Sequence, residues 1–163
     1  MSQVEGLADQ LERSFHGGAW HGPAVAEALA GVNEATAAAR SILGAHSIWE
    51  IVHHVTVWND VPRRRIDGEG LQNLPAEGDW PPVRDISVGA WQTALTALKD
   101  AHAALHARVL DLADAQLDDP VAGSDPTVRG MLFGVLQHNA YHAGQITLLR
   151  KVSTQNGLPV SRK

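Results

Sequence analysis

Residues 127–153 read TVRGMLFGVLQHNAYHAGQITLLRKVS. Val128, Met131, Leu132, Val135 and Ile146 follow steps that gather side chains on one face of an α-helix. The spacing predicts a long helix over this stretch. His138 and His142 fall on the same apolar face, one turn apart, so both imidazoles can reach one point. Two adjacent buried imidazoles without a shared partner leave polar nitrogens unsatisfied, at about 1–3 kcal/mol each. Coordination of one metal ion removes that cost, because neutral imidazole is a common ligand of zinc, nickel and iron. The pair is not the HExxH signature of zinc proteases, since Asn139 stands where its glutamate would.

The rest of the chain is also helical in pattern. Val4, Leu7, Leu11 and Phe15 predict a first helix over about 3–16. GGAWHGP breaks it with glycines and a proline, and the alanine-rich stretch that follows predicts one or two short helices. Ser47, with Glu50 three residues on, has the capping-box pattern; Ile48, Ile51, Val55 and Trp58 then predict a second long helix over about 47–66. Residues 67–86, rich in glycine and proline, read as one long loop. Ser87 can cap a third helix, in which Trp91, Leu95, Leu98, His102, Leu105, Val109 and Leu112 form a heptad-like seam. DDPVAGSDP separates it from the last helix. Four long helices and no alternating strand predict an all-α four-helix bundle, one domain over residues 1–163, with a long loop between the second and third long helices.

Composition narrows the function. Among 163 residues, 44% are hydrophobic and 19% charged, as in a folded globular protein. No apolar run approaches the roughly 20 residues that span a bilayer, and the acidic N-terminus is not a secretory signal. The net charge of -5 argues against a nucleic-acid partner. Cysteine is absent, which excludes disulfides, thiolate ligands and a cysteine nucleophile, and fits the cytoplasm.

A third ligand is expected from a facing helix. His53 lies nearly opposite the apolar stripe of the second helix and should face outward; His54 lies at the stripe's margin beside Trp58 and is the better candidate. His102, on the seam of the third helix, is a further candidate, though a single histidine on an apolar face is usually a hydrogen-bonded core residue. Asn139, Tyr141 and Gln145 are candidates for supporting the ligands or orienting a substrate. Asn139 and Gln145 have helix–helix hydrogen bonding as the plainer reading, and Tyr141 has packing. Glu50 is assigned to capping. Arg63, Arg64 and Arg65 favour the negative end of the helix dipole, or else one of them grips a substrate carboxylate. Trp80, alone in the long loop, is placed to cover a pocket. His16 and His21 are left outside the site.

GAHSIWEIVHHVTVWND (residues 44–60) and HNAYHAGQITLLRK (residues 138–151), with FHGGAWHGPAV earlier, resemble the DinB/YfiT-like superfamily of metal-binding four-helix bundles. The resemblance covers nearly the whole chain. It implies one ligand histidine in the second long helix and an HxxxH pair in the last, which carry over to His54, His138 and His142. It implies one divalent ion, zinc, nickel, iron or manganese. Three nitrogen ligands leave an open position, as in a catalytic centre. The relatives include S-transferases that use bacillithiol or a similar low-molecular-weight thiol, mycothiol-dependent isomerases, and proteins labelled metal-dependent hydrolases. The expected function is thiol-dependent S-transfer on a small molecule. Metal-dependent hydrolysis and a non-catalytic, stress-related metal-binding role are the alternatives. A homodimer is expected by the same resemblance.

Overall fold

The computed structural model describes residues 1–69, 77–121, 126–155 and 157. Residues 70–76 of the long loop and 122–125 of the later break lie outside the described residues. Among the described residues, six α-helices run in the order α1 (Gln3–His16), α2 (Val25–Leu29), α3 (Glu34–Ala38), α4 (Ile48–Ile66), α5 (Val88–Leu110) and α6 (Val128–Gln155). Four are long and match the expected bundle. The alanine-rich stretch resolves into the two short helices α2 and α3. The seam of α5 outruns its helix: the helix ends at Leu110, but Leu112 is still buried in the core.

Local chemistry sets the helix starts. Ser2 and Glu5 form a capping box on α1, and Ser47 and Glu50 form another on α4, with Ser47 Oγ accepting from the Glu50 amide at 3.2 Å. Ser87 Oγ accepts from the Ala90 amide at 3.2 Å to start α5. Gly17 and Gly18, at φ of 150° and 78°, turn the chain out of α1 through backbone that other residues rarely adopt.

Around the bundle the long helices follow the order α1, α5, α4, α6, with α1 and α4 each packed against both α5 and α6. The short helix α2 lies on α6, and α3 lies on α4.

The core is split in two along the helices. One half gathers Phe15, Trp49, Val52, Val55, Trp91, Leu98, Ile146 and Leu149. The other gathers Leu7, Leu11, Leu105, Val109, Leu132 and Val135. On three long helices buried polar residues lie between the two halves of the core, Ser14 on α1, His102 on α5, and Asn139 and His142 on α6; on α4, Asn59 follows the first half and His54 lies within it, between Val52 and Val55. A polar layer therefore crosses the bundle where an uninterrupted core would bury more apolar surface. It holds the histidines.

Candidate metal centre

α4 carries His54, and α6 carries His138 and His142. His54 and His142 are buried and His138 is half-buried. The helices bring their Nε2 atoms together: His138 Nε2 lies 2.9 Å from His54 Nε2 and 3.1 Å from His142 Nε2. One ligand atom from each of the three lies within 4.8 Å of the others, a group that could hold one metal ion.

The far sides of two rings dictate what the near sides present. His54 Nδ1–H donates to the Asp79 carbonyl at 2.7 Å. His142 Nδ1–H donates to Gln145 Oε1 at 2.7 Å. Each acceptor fixes its ring as the tautomer whose Nε2 is a bare lone pair. Two lone pairs thus face the shared point, and His138 can donate a proton to only one of them. A cation satisfies all three. Cis ligand atoms on a metal with bonds near 2.1 Å lie about 3.0–3.4 Å apart, close to the spacing here. The donor set therefore fits a divalent ion. His138 Nδ1 is buried without a hydrogen-bond partner among the described residues.

The electrostatics agree with this. Burial, followed by the neighbouring imidazoles of His142 and His54, pushes His138 down to about 3. Burial pushes His142 down to about 4. It lowers His54 too, against the pull of the Asp79 carbonyl. All three rings are neutral at pH 7, the state in which imidazole binds a metal.

The long loop folds over this point. Trp80 stacks on His54 with centroids 3.8 Å apart and on His46 at 3.6 Å, sandwiched between the two rings. His53 does not face outward as expected: it is half-buried, accepts from Trp49 Nε1 at 3.1 Å and donates from Nδ1 to the Pro81 carbonyl at 3.1 Å. The loop buries it, which a helical wheel cannot show. The Asp79 carbonyl and the stacked His46 carried no sequence signal of their own. Trp80, isolated among Gly78, Asp79, Pro81 and Pro82, was the one mark of this cover.

Of the supporting candidates, Gln145 holds His142 as described. Tyr141 is 64% exposed, with its ring edge-on to His142 at 5.0 Å. Asn139 is fully buried, and its Nδ2 donates to Ser14 Oγ at 3.2 Å, tying α6 to α1. His102 lies apart from the three histidines. It stacks on Phe15 at 3.9 Å, and its Nδ1 donates to Asn59 Oδ1 at 3.4 Å. Its Nε2 is 3.5 Å from Glu12 without a hydrogen bond, next to His16, and the latter two side chains are half exposed. His21 is exposed. Glu50 closes the α4 cap and pairs with Arg40. Arg63 pairs with Asp60 at 2.9 Å and Arg64 with Glu69 at 2.6 Å.

A cleft of about 250 Å³ opens beside His138, walled by Trp58, Pro62, Met131 and Val135, with Arg65 also on its lining. Among the described residues, no helix is long and apolar enough to cross a membrane.

No curated protein and no solved structure matches the chain. The family model of the DinB superfamily matches residues 19–146, a span that includes the capped start of α4, the covering loop and all three convergent histidines. The chain belongs to the DinB superfamily.

Proposed function

We propose that His54, His138 and His142 hold one divalent metal ion and that the centre serves thiol-dependent S-transfer to a small electrophile. The carrying observation is the convergence of three Nε2 atoms, two of them fixed as lone pairs by the Asp79 carbonyl and Gln145 Oε1. Bound there, a divalent ion supplies a Lewis-acid position that favours the thiolate form of a thiol.

The chain does the rest. Trp80 and the Asp79 carbonyl hold the His54 ring in place, and Gln145 holds His142. Trp58, Pro62, Met131 and Val135 give the cleft an apolar wall that excludes water from a reacting organic molecule. With no cysteine in the chain, the sulfur comes from an external low-molecular-weight thiol. S-transfer joins that sulfur to an electrophilic carbon; the carbon's leaving group departs with its bonding electrons, and the thiol proton goes to solvent.

The test is metal content by mass spectrometry on untagged protein, beside the double variant His138→Ala, His142→Ala, followed by turnover of an alkylating electrophile with bacillithiol. About one metal per chain, lost in the variant, with thiol-dependent turnover supports the proposal. Thiol-independent hydrolysis replaces S-transfer with metal-dependent hydrolysis. Stability lost on chelation without any turnover replaces it with a structural metal. No metal after reconstitution with zinc, nickel, iron or manganese overturns the centre itself.

A further inference from the structure

Three arginines end α4 in sequence, and their surroundings differ. Arg63 lies between Asp60 and Asp67, and Arg64 pairs with Glu69. Arg65 has no ion pair among the described residues, and its Nε is buried without a hydrogen-bond partner. It is turned instead toward Trp58, with its guanidinium carbon 5.7 Å from the indole centroid. Trp58 in turn faces His138 at 6.1 Å between rings. Trp58 and Arg65 are seven residues apart, two turns on one face of α4, so the helix repeat itself places the cation along the wall that leads from the histidines. Arg65, Trp58 and His138 line the same cleft.

We propose that Arg65 is an anion-binding residue of this cleft and that the cleft takes a small organic carboxylate with an apolar body. The carboxylate sits on the guanidinium, the body lies against Trp58, Met131 and Val135, and the other end of the molecule points toward the histidines. This deepens the S-transfer reading, on which it rests for the identity of the reacting end.

Three observations select this ligand class. A guanidinium offers a planar fork that matches a carboxylate, and Arg65 brings one to the lining of the cleft without an acid to hold it among the described residues. Burial lowers the pKa of Arg65, so a bound anion restores what the missing acid would supply. Apart from His138, the rest of the lining is apolar, which suits a hydrocarbon body and not a sugar-bearing thiol; the carboxylate therefore belongs to the acceptor molecule. At about 250 Å³ the cleft is below the usual size of drug-sized pockets, so the acid is small.

The test is calorimetric titration of 3-phenylpropionate and of its neutral amide into metal-loaded and chelator-stripped protein, with tryptophan fluorescence as a second readout. The carboxylate should bind both forms. Its affinity should fall about 10–100-fold in Arg65→Gln and in the apolar variant Arg65→Met, and should fall by less in Arg65→Lys, which keeps the charge but not the planar fork. Arg63→Gln should leave it unchanged, and amide binding should be equal in wild type and Arg65→Gln. Thermal melting checks that the variants fold. Carboxylate affinity that is unchanged in both Arg65→Gln and Arg65→Met overturns the proposal. So does carboxylate binding that requires metal and ignores Arg65, or equal binding of acid and amide. Arg65-dependent binding in protein that takes up no metal supports the subsite while removing the metal reading. A metal-loaded protein without Arg65-dependent binding does the reverse.

Discussion

Gln145 offers the sharpest test of how the histidines are held. Its Oε1 accepts the His142 Nδ1–H at 2.7 Å, and His142 is only 3% exposed. Gln145→Leu keeps the side chain's approximate size and removes the acceptor. The buried donor then loses its partner, which costs the metal-free fold about 1–3 kcal/mol. The ring is also released to the other tautomer, whose Nε2 carries the proton and cannot bind a metal. Loss of such an orienting partner lowers metal affinity about 10–100-fold, or roughly 1.4–2.7 kcal/mol. Gln145→Glu keeps an oxygen acceptor and makes it stronger, so its affinity should equal or exceed that of the wild type. The assay is zinc competition against a chromophoric chelator at pH 7.5, with urea unfolding of the metal-free proteins alongside. If Gln145→Leu binds zinc within twofold of wild type, the hydrogen bond does not set the ligand's orientation. Equal loss in Gln145→Glu, which keeps both the shape and an oxygen acceptor, would show that the amide group itself, and not the acceptor, was responsible.

His102 makes stability depend on pH. It is 1% exposed and pushed down to about 4, chiefly by burial and against the pull of the Glu12 carboxylate. Its folded pKa lies below the unfolded value near 6.5, so the unfolded chain takes up the proton first as pH falls. The stability is fully present above pH 6.5 and drains away between about 6.5 and 4. From pH 7.5 to 5 the metal-free protein should lose about 2 kcal/mol that His102→Gln does not lose, read from urea midpoints at the two pH values; equal losses would refute this assignment. Asn139→Ala breaks the α6–α1 hydrogen bond to Ser14 and should lower stability by about 1–3 kcal/mol with unchanged metal stoichiometry, measured by urea unfolding and mass spectrometry. A loss of metal in that variant would show that the bond also positions the neighbouring His138.

Helix existence was legible because it rests on local rules. The stripe of α4 and its Ser47–Glu50 cap, the seam of α5, and the apolar face of α6 all lie within a few turns of one chain segment. The same repeat placed His138 and His142 one turn apart on a buried face. It also put His54 and not His53 at the edge of the stripe, and the structure brings His54 to the other two. The wheel failed for His53 because it treats everything off the stripe as solvent, and here a loop residue, Pro81, supplies the partner.

By itself, then, the sequence determined the four long helices, their caps and the pairing of two histidines, since periodicity and capping act over three or four residues. The tertiary structure alone decided which groups complete the site. The Asp79 carbonyl reaches His54 from 25 positions away, and Trp80 slots between His46 and His54. Of three consecutive arginines, the two with acidic neighbours are held by them and the third is left to the cleft. These pairings depend on the path of an aperiodic loop and on the rotation of α4 against α6, and no local repeat encodes either.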